Sequence, residues 1–375
     1  MDLVTDFEHD DQGRITQTLG PSHTVDLDGE DTTVRTASWT VYDDVNHVTY
    51  SGQGYTTGTA PDYEYTLIEP VSITKMDAGG RVNEQIQATA PSTSGTLADI
   101  IEDAGGGEDA FPQSSYTSWT TMQYTDCCLA ASQRVYHTIP ASGEGTSGTN
   151  YDETDFGYEV MKRRNRTVTP GGTITDLVYD ARGMVVATYV GTNDDGATVD
   201  DPTGGGLDPD NNMVLVHENE YDDGLDGGDV NLTEMTQHVD DTTTRVTSMT
   251  YDFRNRRVTA DGEIDYFEKS YYDNLDRVVK SERYNTTSGG NLIGRNETKF
   301  DDRGRVYQSI RYAVDPSTGS VGNTLTDNTW FDAAGNVIKS LPSGSDLFTK
   351  TEYDSLNRPQ TRYTGYDLDE TGYPG

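Results

Sequence analysis

The sequence predicts an all-β protein: a tandem array of β-hairpins forming a curved or spiral sheet, with one short helical insertion near residues 97–104. One seven-residue pattern recurs along the chain, as in residues 300–306 (FDDRGRV). The chain is rich in Tyr, with 24 residues, and in alternating segments such as 33–42 that have the period of a half-buried strand. Hydrophobic residues make up only 32%, which suits thin repeated layers better than one deep core.

The pattern reads as an aromatic residue, Asp, two free positions, a turn residue, a basic residue and an apolar residue. Looser copies begin at residues 9, 42, 76 and 158. The clearest copies supply the predicted turn residues Tyr179, Asp180, Gly183, Tyr251, Asp252, Asn255, Tyr272, Asp273, Arg277, Phe300, Asp301, Gly304, Arg305, Phe331, Asp332, Gly335, Tyr353, Asp354, Asn357 and Arg358. An internal repeat of this kind decides the fold class before any single segment does.

The fifth position of the pattern predicts a turn with a left-handed residue. It is occupied by Gly13, Asn46, Gly80, Lys162, Gly183, Asn255, Asp276, Gly304, Gly335 and Asn357. All except Lys162 are residue types that tolerate a left-handed backbone. The Asp three positions earlier can accept hydrogen bonds from amides of the turn. We therefore expect a type I turn followed by a left-handed residue, with one strand ending at the aromatic residue.

These motifs resemble the YD-repeat (Rhs-type) family, whose signature is Tyr-Asp-x-x-Gly-Arg followed by an apolar residue. The resemblance covers roughly residues 7–365 and is densest over 158–358. It implies a long sheet of hairpins that coils into a hollow shell. It also implies a large secreted or cell-surface protein, and some members of the family enclose a toxin domain.

The spacing of the copies divides the chain into four regions. Residues 1–90 carry degenerate repeats, 91–157 an insertion and a damaged repeat, 158–365 a regular array, and 366–375 the start of a truncated repeat. Within the insertion, residues 97–104 predict a short helix capped by Ser94 or Thr96 and stopped by three glycines at 105–107. The truncated repeat leads us to expect that this is an internal piece of a longer protein.

The charge excludes some partners. With 27 Lys and Arg against 64 Asp and Glu, the net charge is −37, so nucleic acid and anionic membranes are poor partners. No apolar run reaches the roughly 18 residues of a membrane helix, so membrane insertion is not expected. Abundant Asp beside only seven Lys suggests a saline setting, which predicts that the folded circular dichroism signal is lost on transfer from molar to near-zero salt.

Catalysis finds no support in the sequence. The six His are scattered, and no nucleophile elbow, zinc-binding helix or phosphate-binding loop is present. The unusual chemical feature is Cys127 next to Cys128, interpreted as filling the two free positions of the damaged repeat. The alternatives are two small apolar turn residues with free thiols, a strained vicinal disulfide, or intermolecular pairing.

Two ligand hypotheses accompany the structural one. Oxygen-rich loops make Asp26, Asp28, Asp208 and Asp210 weak candidate ligands for Ca²⁺, although none fits the EF-hand spacing; otherwise no metal or cofactor is expected. A carbohydrate-binding or cell-surface-binding module would use aromatic and acidic loops, with Trp39, Trp119 and Trp330 as first candidates, although strand alternation favours packing roles for Trp39 and Trp330.

The sequence thus favours a non-catalytic structural segment of a secreted or surface-exposed shell. A toxin-enclosing shell is a third hypothesis, but it needs a processing site and an enclosed domain that the sequence does not display. The expected partners are neighbouring repeats of a longer chain or further copies of this one. Since neither terminal region looks capped, we expect association that increases with salt.

Overall fold

The computed structural model describes residues 4–27, 29–204, 211–225, 227–240, 242–263, 266–286 and 289–366. It confirms the predicted fold class: one antiparallel sheet of 24 strands, with two short helices in the described part of the chain. The chain divides into two compact units, residues 1–178 with 189–214, and residues 179–188 with 215–375. No helix within the described ranges is long and apolar enough to span a membrane.

Strands β1 to β12 account for the first half of the array. They are β1 (Asp6–His9), β2 (Ile15–Leu27), β3 (Glu30–Asp43), β4 (Val48–Thr59), β5 (Asp62–Met76), β6 (Val82–Ala88), β7 (Tyr116–Tyr124), β8 (Ala130–Tyr136), β9 (Tyr151–Tyr158), β10 (Arg164–Val168), β11 (Ile174–Tyr179) and β12 (Val185–Gly191).

Strands β13 to β24 continue it. They are β13 (Val214–Tyr221), β14 (Leu232–His238), β15 (Thr244–Tyr251), β16 (Arg257–Gly262), β17 (Tyr266–Tyr272), β18 (Val278–Tyr284), β19 (Leu292–Phe300), β20 (Val306–Val314), β21 (Val321–Phe331), β22 (Val337–Leu341), β23 (Leu347–Tyr353) and β24 (Pro359–Tyr366).

Consecutive strands pair as antiparallel hairpins from β1 to β11 and again from β13 to β24. Except in the copy at 42–48, the first residue of the pattern is the last residue of its strand, and in every copy the residue after the sixth position is the first of the next strand. At the turn that follows β19, Phe300 is the partner of Val306, and the register shifts between Lys299 and Phe300. Such a shift is the β-bulge that a type I turn with a left-handed residue introduces.

The insertion forms the two helices of the first unit, α1 (Leu97–Asp103) and α2 (Gly107–Ala110). Thr96 is the N-cap of α1: its hydroxyl accepts a hydrogen bond from the Asp99 amide, and Asp99 bonds back to the Thr96 amide. The helices cover one face of the sheet, where Leu97 is fully buried and Phe111 stacks on Tyr50 at 5.7 Å between ring centroids. Burial of one such side chain contributes about 1.5–3 kcal/mol. The insertion adds Leu97, Ile100, Ala110 and Phe111 to a core that is otherwise formed by strand residues.

Candidate functional site: the motif rim

Every copy of the pattern connects an odd-numbered strand to the following even-numbered strand. In an antiparallel array of consecutive hairpins, all such turns lie at the same end of the strands. Each compact unit therefore has one rim made of pattern turns, here called the motif rim. In the first unit it contains the turns around residues 10–14, 43–47, 77–81, 125–129 and 159–163, and in the second those around 180–184, 222–231, 252–256, 273–277, 301–305, 332–336 and 354–358.

The turn at 301–305 illustrates the local geometry. The Asp301 amide donates to the Arg305 carbonyl (2.9 Å), and the Gly304 amide donates to the Asp301 carbonyl (2.9 Å). Asp301 Oδ1 accepts from the amides of Arg303 and Arg305, both at 2.9 Å, and Oδ2 accepts from Arg305 Nε at 2.7 Å. One carboxylate thus satisfies two turn amides and orients the guanidinium. The same arrangement of bonds occurs at Asp10, Asp77, Asp252, Asp273 and Asp354.

The fifth position is left-handed at nine of the ten predicted residues. Their φ angles lie between 60° and 101° at Gly13, Gly80, Lys162, Gly183, Asn255, Asp276, Gly304, Gly335 and Asn357. The prediction for Asn46 was wrong: His47 has the positive φ, 57°. The reason is that β3 continues through Asp43, which pairs directly with Val48 without a bulge, so the loop has four residues (44–47) instead of five and its last residue is the left-handed one.

The guanidinium of one turn lies over the aromatic ring of the next turn along the rim. Arg305 Cζ is 4.5 Å from the ring centroid of Phe331, and Arg305 Nη1 donates to the Asp332 carbonyl at 3.0 Å. The equivalent ring contacts are Arg14 over Tyr42 at 4.0 Å, Arg81 over Tyr124 at 4.6 Å, Arg256 over Tyr272 at 4.7 Å and Arg277 over Phe300 at 4.3 Å. This is the cation–π and stacking geometry in which Arg is favoured over Lys.

In the second unit these contacts link each turn of the motif rim to the next without a gap. The links, in order along the rim, are Arg182 to Asp222 (2.6 Å), Asn231 to Asn255 (3.0 Å), Arg256 to Asp276 (2.8 Å), Arg277 to the Phe300 ring, Arg305 to Asp332, and Asn336 to Asn357 (3.1 Å). Where Arg is replaced by Asn at the sixth position, an amide hydrogen bond takes over the link. The rim is therefore a continuous ladder of side chains.

A second ladder, which sequence reasoning missed, uses the tyrosine hydroxyls. The Tyr272 hydroxyl donates to the Arg257 carbonyl at 2.8 Å, that is, to the first residue after the preceding turn of the rim. The same bond runs from Tyr42 to Ile15, Tyr124 to Val82, Tyr158 to Ala130, Tyr221 to Val185, Tyr251 to Leu232 and Tyr353 to Val337. Phe300 and Phe331 lack the hydroxyl. The preference for Tyr over Phe at the first position of the pattern was the feature of the sequence that could have predicted these hydrogen bonds.

The rim carboxylates are held in their ionised form. The hydrogen bond from Arg256 lowers the pKa of Asp252 to about 2, and Arg163 does the same for Glu159, whose pKa is also about 2. The pKa of Asp301 is lowered chiefly by the amide of Arg305. Such carboxylates are weak bases, and each is already bonded to its own turn.

Comparison with known proteins gives a structural likeness only. No protein family matches the chain by its sequence, and no curated protein matches it either. The fold is similar to the crystal structure of TcdB2-TccC3-Cdc42, with 13% identity over 95% of this chain and 18% of that one, at a TM-score of 0.46. It is also similar to the crystal structure of TcdB2-TccC3-TEV (11% identity, 97% and 19% covered, TM-score 0.39) and to the Photorhabdus luminescens Tc holotoxin pore (12%, 94% and 21%, TM-score 0.31). The chain spans about a fifth of the length of these chains.

A buried charge cluster on β17 to β19 was also missed. Glu282 is only 3% exposed, and its carboxylate accepts bonds from Arg295 Nε (2.9 Å) and from the hydroxyls of Tyr271 (2.8 Å) and Tyr284 (3.0 Å). Burial acts to raise the pKa of Glu282, but these bonds outweigh it and hold the pKa at about 2. Burial and the bond to Glu282 raise the pKa of Tyr284 to about 12. Lys280, Glu282 and Tyr284 are two residues apart, which places their side chains on one face of β18. This spacing was the feature of the sequence that could have predicted the cluster.

The candidate calcium ligands do not form a described site. Asp26 Oδ1 accepts the Gly29 amide at 2.7 Å, which is a turn contact, while Asp28, Asp208 and Asp210 lie outside the described residues. In the described ranges no three or more His, Cys, Asp or Glu side chains are grouped to hold a metal ion.

The three tryptophans differ in their availability to a ligand. Trp39 is 3% exposed and Trp119 is 7% exposed, and both lie in the core of the first unit. Trp330 is half-buried on β21, and Lys339 Nζ lies 4.6 Å from its ring centroid. Two of the three candidates for carbohydrate binding are therefore packing residues.

The sequence interpretation assigned the cysteine pair to the two free positions of the pattern, which is one position too early. The Cys128 amide donates to the Thr125 carbonyl at 3.0 Å, and Cys128, with φ of 79°, occupies the left-handed fifth position. Cys127 occupies the second free position. Both carry free, exposed thiols.

Proposed function

We propose that this chain is a non-catalytic structural segment of a larger YD-repeat (Rhs-like) shell protein that is secreted or exposed at the cell surface. The observation that carries the proposal is the continuous ladder along the motif rim. In the second unit, each turn except the last uses its Asp carboxylate to close itself and an Arg or Asn side chain to contact the next turn, which is the organisation of a nearest-neighbour repeat array. Its partners would be neighbouring repeats or further copies of this chain.

The chemistry of the rim supports a role without catalysis. A catalytic acid or base needs a pKa near the working pH, whereas Asp252 and Glu159 have pKa values of about 2 and are bonded to Arg. Groups that are fully engaged in structure have little capacity left to bind and convert a substrate.

Carbohydrate binding, with or without Ca²⁺, is the competing function. It would have to rely on Trp330 and the acidic loops, because Trp39 and Trp119 are buried in the core. The structural proposal predicts that a glycan array probed with and without Ca²⁺ gives no signal above that of the unfolded chain. Saturable binding that is lost in a Trp330→Ala variant would favour the binding module instead.

The structural role itself is tested by hydrogen–deuterium exchange on the whole chain. The Arg305→Met substitution removes one link between neighbouring turns. It should raise amide hydrogen exchange in the turn at 301–305 and in the next turn at 332–336, because Arg305 bonds to both. An Arg362→Met variant is the control, since Arg362 is exposed on β24. Faster amide exchange in the mutated turn alone would contradict the proposal that neighbouring turns of the rim stabilise each other.

A further inference from the structure

The turn at 125–129 presents two adjacent thiols on the motif rim of the first unit. Cys127 and Cys128 are the only cysteines in the sequence, and both are exposed. A structural repeat does not need cysteine at either position, since Gly, Asn, Asp or Lys occupies the left-handed position elsewhere. The structural role in a shell therefore does not explain why two adjacent thiols are present in this turn.

The backbone disfavours a bond between the two sulfurs. Adjacent Cα atoms lie about 3.8 Å apart across a trans peptide, below the roughly 4.4–6.8 Å that disulfides span. The turn is also fixed: the Thr125 amide donates to the Leu129 carbonyl at 2.8 Å, and the Cys128 amide to the Thr125 carbonyl at 3.0 Å. Closing a vicinal disulfide would require this turn to rearrange.

The surroundings of Cys127 favour its thiolate. Thr125 replaces the Asp of the pattern, so its hydroxyl rather than a carboxylate lies 3.3 Å from Cys127 Sγ. Lys162, in the next turn of the rim, forms no ion pair with the described residues and lies close enough to act on the thiol. The Thr125 hydrogen bond, helped by the charge of Lys162, lowers the pKa of Cys127.

The other charges around the pair are mostly neutralised. Arg81, in the preceding turn, bonds to Asp77 at 2.5 Å and lies over the ring of Tyr124. Asp126 is exposed beside Cys127 and opposes the effect of Lys162. Glu159, the acid of the next turn, is bonded to Arg163 at 2.8 Å. Lys162 is thus the cation whose charge acts on Cys127, whereas Arg81 acts on Cys128.

We propose that Cys127 is a modification site that undergoes thiol–disulfide exchange with small external disulfides, with Thr125 and Lys162 as positioning residues. The Cys127 thiol loses its proton to solvent, and its sulfur attacks one sulfur of the external disulfide. A mixed disulfide forms on Cys127, the external S–S bond breaks, and the other half leaves as a reduced thiolate. Cys128 stays a thiol.

The rate of reaction with dithiodipyridine, followed by release of thiopyridone, tests this on the folded chain. We expect the Cys128→Asn protein, which retains Cys127, to react about threefold faster or more at neutral pH than the Cys127→Ser protein. Mass spectrometry of the wild-type chain should find one adduct, on Cys127. Equal rates in the two variants, or a product two hydrogens lighter with no adduct, would overturn the proposal.

The positioning residues are tested by the pH profile of the same rate. Thr125→Val and Lys162→Asn, each in the Cys128→Asn background, should move the profile to higher pH, while Thr125→Ser restores it. Asn tolerates the left-handed backbone of Lys162, so the turn is retained. Lys269→Gln on β17 is the charge control and should leave the profile unchanged. An unmoved profile in both test variants, with unchanged circular dichroism, would refute their roles.

Discussion

At the scale of single residues, Lys162 shows what the fifth position of the pattern requires. Its φ is 64°, although a side chain with a Cβ atom costs about 1 kcal/mol in a left-handed conformation. We expect Lys162→Gly to raise the free energy of unfolding by about 1 kcal/mol, measured by urea denaturation. Lys162→Ala removes the same charge but keeps the Cβ atom, so it should give no gain. Equal stabilisation by both variants would assign the effect to charge instead.

The lowered pKa of Asp252 predicts how stability depends on pH. Its folded pKa is about 2, below the roughly 3.9 of an unfolded Asp. A carboxylate with a depressed folded pKa stabilises the fold above its unfolded pKa, and this stabilisation is lost as pH falls from about 4 to 2. Asp252→Asn should therefore lower the urea midpoint at pH 6, and the wild-type and variant midpoints should converge near pH 2.

The variant must be compared with the wild type at each pH, because protonation of carboxylates in acid also makes the net charge of −37 less negative. This change relieves electrostatic repulsion across the whole chain. Asp302→Asn is the matched control, since Asp302 is exposed at a free position of its turn. Its midpoint should follow that of the wild type throughout. A constant difference between Asp252→Asn and wild type from pH 6 to pH 2 would contradict the assignment.

At the scale of the hairpin, stability depends on contacts between neighbouring turns. Arg305 and Phe331 belong to successive turns, with the guanidinium 4.5 Å from the ring centroid. A double-mutant cycle of Arg305→Met and Phe331→Leu should give a coupling free energy of about 0.5–1 kcal/mol in urea denaturation. The pair Arg362→Met and Phe331→Leu is the control and should be additive. Additivity of the first pair would show that the ring contact contributes nothing.

The tyrosine ladder makes a prediction in both directions. Tyr272→Phe removes the hydrogen bond to the Arg257 carbonyl and should lower the free energy of unfolding by about 0.5–1.5 kcal/mol. Phe300 lies at the equivalent position one hairpin later, so Phe300→Tyr should place a hydroxyl near the Val278 carbonyl and stabilise the chain by a similar amount. Thermal unfolding followed by circular dichroism measures both. No loss of stability in Tyr272→Phe together with no gain in Phe300→Tyr would show that the hydroxyls are incidental.

The sequence predicted elements better than it predicted side-chain partners. The turns follow from Asp301, Gly304 and their equivalents because turn chemistry is local. The wrong turn at Asn46 arose because hairpin closure also depends on strand register, which one turn does not reveal. The partners of Glu282 and the role of Leu97 in the core depend on contacts between strands distant in sequence, so the local pattern could not supply them.

At the scale of the whole molecule, two properties oppose each other: outer strands that can pair and a charge that repels. β24 is exposed along most of its length, and within the described chain it pairs with β23 alone. β1 is exposed at all four residues, and among the strands that the structure describes it pairs only with β2. Unpaired strand edges are templates for association with other chains.

We therefore predict association that increases with salt, because a Debye length of about 8 Å at 0.15 M largely screens the charge of −37. Light scattering after size exclusion, at low and at high salt, measures it. Tyr363→Lys places a charge on β24, where Tyr363 is 49% exposed, and should reduce the association at high salt. Gln123→Lys adds a basic side chain at an exposed position of β7, within the sheet, and is the control that should associate like wild type. A monodisperse species of 41.2 kDa at both salt concentrations would show that the outer strands do not pair between chains.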